Sequence, residues 1–377
     1  MQLKQFNNIN LKTLDDSTEN TSTSNNPCDG GMTAGHLLLT PTGEWVDIRD
    51  IEEGQTVLCY DKETRVSKWG KVIKKAKYKY TGRVHIFKAR YQQFAVVEDH
   101  PVISNSRAIL DKFIIKPARK YRTGVKQEKF INQVPLEHDT KEDKLTLYEQ
   151  FLCALQADGS IVSGFYPDGT AKVFLDDKNK AWVRTTFKFA KIRKIIKLSI
   201  LLDKLGWNYK VSEFKPKPRE NDHDQVYFRV RVPVTKDTVV TKNFEDWVDI
   251  SNKNHKWCKD FIDNIMFWDG NLKRLEKHPD GVKRYHSTNV SNINTVHTVG
   301  ILAGYRVGKY IWSSPKDKNW ADHYTLSFVN LDGTNPLTKK YQEVTDMNVY
   351  GITTECDSYA YRYKGLIGIT GSATFIT

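Results

Sequence analysis

Phe151-Leu152-Cys153-Ala154-Leu155-Gln156-Ala157-Asp158-Gly159 and Phe261-Ile262-Asp263-Asn264-Ile265-Met266-Phe267-Trp268-Asp269-Gly270 decide how this chain is read. Each is an apolar run of helical character that delivers one carboxylate to its C-terminal end, next to a glycine. Two such helices packed side by side would bring Asp158 and Asp269 together. Close carboxylates repel, so the pair makes little sense as structure alone. It is the donor set of a divalent metal, and in a basic protein that points to cutting a phosphodiester. Other Asp-Gly pairs, at Asp29-Gly30, Asp168-Gly169, Asp280-Gly281 and Asp332-Gly333, sit in polar surroundings and read as turns. An ordinary helix-ending glycine is the plain alternative at 159 and 270. Its recurrence, with similar sequence after each copy, favours the site.

Working outward, the composition agrees. Lys and Arg number 58 against 45 Asp and Glu, a net charge of +13, which favours a polyanionic partner over a merely solvated surface. The five cysteines, at 28, 59, 153, 258 and 356, form no CxxC pair, which argues against zinc and against a disulfide framework. No apolar run reaches membrane length and no signal-peptide core opens the chain. The expectation is a soluble, cytoplasmic, DNA-associated monomer.

Along the chain, residues 1–30 read as a polar leader. From Leu37 to Ser104 short strands and turns alternate: Leu37–Thr40, Trp45–Ile48, Thr56–Tyr60 and Val84–Phe87. Helical periodicity appears at 146–157, 190–205, 257–267 and 290–303, with strands at Trp182–Phe189 and Val226–Val232. Short strands return at Val349–Thr353 and Leu366–Thr370. A helical, basic unit therefore interrupts an all-β unit. The helical unit repeats internally: helix, Asp-Gly, strands, then a helix ending Leu205-Gly206-Trp207 in one half and Ala303-Gly304-Tyr305 in the other. Duplicated halves build a pseudo-two-fold body suited to duplex DNA.

Alternation sets Arg184, Thr186 and Lys188 on one strand face, and Tyr227, Arg229 and Arg231 on another. Such faces can meet base edges or phosphates, although any half-buried sheet alternates. The run Lys191, Arg193, Lys194, Lys197 reads as a solvated helix side, with Ile192, Ile195, Ile196 and Leu198 as its apolar positions.

On these motifs the middle of the chain resembles the two-repeat LAGLIDADG homing endonucleases. The resemblance extends to Phe187-Lys188-Phe189-Ala190-Lys191 and Tyr285-His286-Ser287-Thr288-Asn289. It implies that the motif helices form the interface between halves. It also implies that Asp158 and Asp269, with the adjoining Gly159 and Gly270, bind Mg²⁺, and that Lys188 assists. The target would be a long asymmetric site in double-stranded DNA. The small residue that allows close helix packing corresponds to Cys153 and Asn264.

The outer segments resemble the Hint fold of inteins: Gly35 to Gly43 with Ile48 to Ile51, then Val96-Val97-Glu98-Asp99-His100-Pro101-Val102, then Val349–Thr353 and Lys364–Gly371. The resemblance implies protein splicing, with His100 weakening the opening amide. By the family's spacing the opening junction falls at Gly31, which has no nucleophile; Cys28 lies early and reads as a flanking cysteine. At the closing end Ala373 stands where the cyclising Asn is usual, with Ser372 as the other register, and Thr374 is the downstream nucleophile. Val97 replaces the usual threonine of the His100 block, and Asp357 or Cys356 the usual second histidine.

The expectation is a multidomain chain: an all-β, horseshoe-like Hint domain interrupted by an α+β pseudo-two-fold LAGLIDADG domain. Its parts are a host-protein flank 1–30, Hint 31–135, endonuclease 136–335, Hint 336–373 and a second flank 374–377, the flanks being exteins in cis. Splicing is read as disabled by its junction residues. The competing expectations are a DNA-binding domain that no longer cuts and a Hint domain that cleaves itself without ligating.

Overall fold

The computed structural model describes residues 27–89, 92–106, 113–121, 128–131, 133–137, 144–162, 172–214, 225–235, 238–270, 283–312, 323–329 and 338–375. The expected leader thus enters only from Pro27, and the Asp-Gly pairs at 168, 280 and 332 lie outside the described residues. Two compact units share the chain. One comprises 1–138, 300–309 and 328–377; the other comprises 139–299 and 310–327. The all-β unit therefore also takes 300–309, a segment expected in the helical domain.

The first unit is built from β1 (Cys28–Asp29), β2 (Met32–Thr33), β3 (His36–Leu39), β4 (Trp45–Asp47), β5 (Thr56–Tyr60), β6 (Ser67–Lys88), β7 (Gln93–Val97), β8 (Pro101–Ser106), β9 (Phe113–Pro117) and β10 (Glu128–Phe130). The 22-residue β6 serves three partners. Its start pairs with β5, its end with β7, and Val72–Lys88 with the returning strand β19 (Thr338–Thr354), with a bulge between Val344 and Met347. After β19 come β20 (Ser358–Tyr363), β21 (Leu366–Gly371) and β22 (Thr374–Phe375). β20 pairs with β3, β5 and β21, so the chain's last strands complete sheets begun by its first. β22 pairs with β1, joining the two expected flanks to each other. Alternation along these strands sends Val57, Cys59, Phe87, Phe94, Tyr359 and Tyr361 into one buried cluster.

The second unit opens with α1 (Leu147–Asp158). Thr146 caps it reciprocally with Glu149, the Ser/Thr-x-x-Glu box that satisfies orphan amides at a helix start. There follow β11 (Gly159–Ile161), β12 (Phe174–Leu175), β13 (Ala181–Phe189), α2 (Ile192–Leu205), β14 (Tyr209–Phe214), β15 (Gln225–Pro233) and α3 (His255–Asp269), the last capped by Asn254. Then come β16 (Lys283–Ser287), α4 (Val290–Leu302), β17 (Arg306–Trp312) and β18 (His323–Val329), of which residues 300–309 and 328–329 group with the first unit. One sheet runs β11-β13-β15-β14 and the other β16-β18-β17, so the last three strands of each stand in the same order. α2 and α4 also end alike. Gly206 and Gly304 take left-handed φ of 65° and 79°, and the next residue's N–H reaches back to Leu202 or Gly300.

One helix inverts its sequence reading. In α2 the side chains Ile192, Ile196 and Ile200 are exposed, at 72%, 53% and 50%, while Lys194 is buried. Leu198, Leu201 and Leu202 set the inward face, and Lys194 lies one turn before Leu198 on that face. Lys197 is half-buried, its ammonium 4.1 Å from the centre of the Phe267 ring.

Candidate functional site

Two groups of functional side chains emerge, one in each unit. In the second unit α1 and α3 pack against one another. Their N-terminal ends are tied through Glu149, which accepts from Trp257 Nε1 at 3.2 Å and pairs with Lys253 at 3.2 Å. The helices therefore run in the same direction and deliver Asp158 and Asp269 to the same end. Cys153 and Asn264 are both buried at this packing. Asn264 fits because its amide oxygen turns along its own helix to accept from Trp268 Nε1 at 3.0 Å.

The glycines after each aspartate act by close approach rather than by a left-handed turn. Their φ values are −87° and −76°. A Cβ on Gly159 would lie 2.8 Å from Leu155 Cα, and one on Gly270 would lie 2.2 Å from the Met266 carbonyl oxygen. Each chain leaves its helix so tightly that no side chain fits.

Asp269 shows the strain of the pairing. Burial chiefly, and then the charge of Asp158, raise its carboxyl to about 6, against the pull of Lys194, Lys242 and Lys191. The buried Lys194 ammonium forms an ion pair with the partly exposed Asp158 carboxylate. Lys242 donates to the Gly159 carbonyl at 2.8 Å, and burial lowers its ammonium despite the two aspartates. A hard divalent cation suits this donor set: two carboxylates and a main-chain oxygen, with water or phosphate oxygens left to complete the shell. Among the described residues no group of three or more His, Cys, Asp or Glu gathers, so a larger protein cage is not formed there.

Lys188, the expected helper, lies on the exposed face of β13 instead. Lys194 and Lys242 hold the places beside the carboxylates. Reading Lys194 as solvated missed its inward direction. Lys242 carried no signal, since its partner Gly159 is far away in sequence.

Arg184, Lys188, Tyr227, Arg229 and Arg231 come together as expected of neighbouring strands. Arg184 stands opposite Arg231, Thr186 opposite Arg229 and Lys188 opposite Tyr227. The four basic residues are exposed, and Lys210 on β14 extends the row opposite Arg229.

In the first unit, His100 is fully buried, and its Nε2 lies 2.7 Å from the Thr370 hydroxyl. Thr370 directs its own proton to the Pro101 carbonyl at 3.3 Å, so Nε2–H donates and Nδ1 is left as an acceptor. Nδ1 has no protein partner among the described residues and faces Gly30, where an added Cβ would come within 3.2 Å of it. Burial, with a smaller push from His36, lowers the His100 imidazole to about 3, so it is neutral at physiological pH. His36 is a structural histidine. Nδ1 contacts the Thr33 carbonyl at 2.8 Å, and Nε2 accepts from the Ala95 amide at 3.2 Å.

The residues at the expected opening junction are closely packed. A Cβ on Gly31 would sit 2.3 Å from Val349 Cγ1 and 3.0 Å from the Tyr78 hydroxyl, so position 31 has no room for a nucleophile. Cys28, read as a flanking cysteine, is instead buried in the fold. Its thiol donates to the Gly30 carbonyl at 3.3 Å, and Tyr78 donates to the same oxygen at 3.0 Å. Gly351 leaves the space it fills: a Cβ there would meet Cys28 Sγ at 2.6 Å and Ala373 Cβ at 3.2 Å. Burial pushes the thiol up to about 11, with Tyr78 pulling it back.

The closing residues are held tightly. The Ala373 amide donates to Ile352 at 2.9 Å, and its carbonyl accepts from Thr353 Oγ1 at 2.5 Å. Ser372 is almost buried and donates its amide to Asp357 at 3.0 Å. Thr374 is exposed, opposite Asp29. A cleft of about 450 Å³ lined by Pro101, Asp357, Ser372, Ala373, Thr374 and Phe375 opens beside them.

No protein-family model matches the chain. It is 24% identical, over 361 residues and 90% of its length, to the ribonucleoside-diphosphate reductase subunit beta of Aquifex aeolicus, and spans about half (49%) of that relative. Similar solved structures include mesophilic variants of the homing endonuclease I-DmoI (15% identity, TM-score 0.29, 48% of this chain and 87% of that one). An I-DmoI variant in complex with its target DNA in the presence of magnesium is similar at 14% identity and TM-score 0.29, covering 48% of this chain and 88% of that one. A bacterial intein-like domain from Clostridium thermocellum is similar at 20% identity and TM-score 0.22, over 27% of this chain and 66% of that chain.

Proposed function

We propose that this chain is an intein-type splicing element carrying a site-specific, double-strand DNA endonuclease of the two-repeat LAGLIDADG kind. The observation that carries the nuclease is the pair of same-direction helices α1 and α3 ending in Asp158 and Asp269 side by side, in a unit with a basic strand face. Mg²⁺, when bound there, would supply a polarised water and neutralise charge on phosphorus. The chain's own residues then divide the work. Asp158 and Asp269 hold the cation. Lys194 and Lys242 set the charge around it. Arg184, Lys188, Arg229 and Arg231 contact phosphates or base edges of a long duplex. The test is Mg²⁺-dependent cleavage of a genomic library with sequencing of the ends. Asp158→Asn and Asp269→Asn should each remove cleavage while duplex binding stays. Binding by the unaltered protein without any metal-dependent cutting would identify a DNA-binding domain that has lost catalysis.

For the β unit the reading is splicing chemistry stopped at its closing end. Cys28 supplies the thiol that attacks the Pro27 carbonyl carbon; the S–C bond forms as the Pro27–Cys28 C–N bond breaks, and the thiol proton passes by way of neutral His100 Nδ1 to the departing Cys28 nitrogen. Tyr78 and the Cys28 thiol both donate to the Gly30 carbonyl, which fixes the turn that presents Cys28. Ala373 has no side-chain amide, so it cannot cyclise to release the downstream segment. A reductase subunit would be the host, its additional length lying outside the inserted segment. Ala373→Asn with Cys28 retained should yield an excised species beginning at residue 28, read by intact mass, and Cys28→Ala in that background should abolish it. Excision beginning at residue 31 would sink this junction.

The alanine at 373 also favours a second reading, self-cleavage without ligation. Release of the segment before Cys28 by dithiothreitol, with the downstream residues still attached, would establish it.

A further inference from the structure

Cys59 and Cys356 are two thiols that neither site uses, and the fold brings them together. Cys59 is fully buried on β5, between Lys68 of β6 and Tyr359 of β20. Cys356 is half-buried in the turn between β19 and β20 and packs on the cluster that contains Cys59. Gly70 leaves room for the Cys59 thiol and for Glu355, the residue before Cys356: a Cβ there would meet Cys59 Sγ at 2.8 Å and Glu355 Oε2 at 3.3 Å. The thiol of Cys59 interacts with the Cys356 side chain and with the Thr354 hydroxyl. The turn itself is fastened. The Glu355 amide donates to Lys71 O at 3.1 Å, Glu355 Oε2 accepts from the Lys71 amide at 2.9 Å, and Ser358 Oγ bridges Tyr60 O and Cys356 O.

We propose that Cys59 and Cys356 form a reversible disulfide by exchange with a low-molecular-weight disulfide, and that the bond controls the closing end of the β unit.

Exposure orders the steps. Cys356 is reachable and Cys59 is not. The Cys356 thiolate attacks one sulfur of the small disulfide and expels one small thiolate, which takes up a proton. Cys59 then attacks the Cys356 sulfur of the mixed disulfide, and its proton leaves with the second small thiolate, which departs as a thiol. Two protein thiols are oxidised, and one small disulfide is reduced to two thiols. Burial pushes both thiols up, Cys59 to about 12, and Lys68 beside Cys356 offsets part of the rise there. Exchange is therefore slow at neutral pH and quickens as pH rises.

The link to the closing end is covalent and short. Asp357 follows Cys356 directly, and its carbonyl holds the Ser372 amide, one residue before Ala373. Thr354, which contacts Cys59, accepts the Asp357 amide at 3.0 Å and hydrogen-bonds Ser372 Oγ. A bond from Cys356 to the core strand β5 anchors the turn that positions residues 372 and 373. The disulfide itself is independent of any splicing chemistry; only its use as a control on that chemistry rests on the splicing reading.

The test treats the full chain with oxidised glutathione and maps unreduced peptides by mass spectrometry, with hydrogen exchange on both forms. The expected result is one cross-linked peptide pair joining Cys59 to Cys356, with Cys28, Cys153 and Cys258 still free after denaturation. It includes slower exchange at the Ser372 amide and full reversal by dithiothreitol. Cys59→Ser should leave a stable glutathione adduct on Cys356, and Cys356→Ser should leave Cys59 unmodified. Glutathione remaining on Cys356 of the unaltered protein, or a cross-link with unchanged exchange at Ser372, overturns the proposal. Circular dichroism of both variants confirms that loss of the cross-link is not loss of fold.

Discussion

Lys194 and Asp269 concentrate the electrostatics of the second unit. Lys194 is shielded from solvent and has one carboxylate partner, so removing it strands Asp158 next to Asp269. Breaking a buried ion pair by deleting one member typically costs about 3–5 kcal/mol, and the partial exposure of Asp158 reduces that toward about 2–3 kcal/mol. Lys194→Met should therefore lower metal-free stability in urea by that amount, and Mg²⁺ should recover part of it by supplying the missing positive charge. Asp269 makes a prediction of opposite sign. Its folded pKa, about 6, lies above the unfolded value of 3.8, so the stability it contributes is fully present below the unfolded pKa and is lost as pH rises through about 6. Asp269→Asn removes that loss. Without metal, the variant should melt higher than the unaltered protein at pH 7.5, with the gap closing toward pH 4. A gap that stays constant across this range would show that Asp269 is not destabilised by ionisation.

At the scale of elements, the proposed function rests on the ends of α1 and α3 and on the face of the β13–β15 pair. Gly270→Ala drives a methyl into the Met266 backbone and should cost about 3 kcal/mol or more. Gly206→Ala, in open space but at positive φ, should cost only about 1 kcal/mol. Chemical denaturation of the two variants compares a glycine needed for close packing with one needed for its dihedral. On the strands, Arg229→Ala and Arg231→Ala should weaken DNA binding. Each should also reduce the slope of log affinity against log salt by about 1 for every phosphate that the arginine neutralises. An unchanged slope would assign these side chains to base edges or to no contact. The inverted α2 belongs here too. Its hydrophobic count alone suited either orientation, and the leucines of its second half decided the matter.

At the scale of the molecule, the chain is two units of different architecture on one backbone. Calorimetry should resolve two unfolding transitions rather than one two-state step. Mg²⁺ should raise only the transition of the helical unit, while oxidised glutathione should raise only that of the β unit. The elements behind this behaviour were legible in the sequence because their signals are local. Period 3.6 marks helices α1 to α4, period 2 marks strands such as β13 and β15, and the apolar runs before Asp158 and Asp269 identify the carboxylate-bearing ends. What the sequence could not supply were partnerships between distant residues. Lys194 turns inward because Asp158, 36 residues earlier, waits on the packed side of α2. Lys242 reaches Gly159 across 83 residues. Cys28 packs in one cluster with Ala373 because Gly351 leaves room for its thiol, and Gly31 is closely surrounded by Val349 and Tyr78. By itself, then, the sequence determined which segments are helices or strands and where the paired carboxylates end them. The tertiary structure decided which face of each element is buried and which distant side chains meet. Periodicity is a property of a single segment, whereas burial depends on what the rest of the chain packs against it.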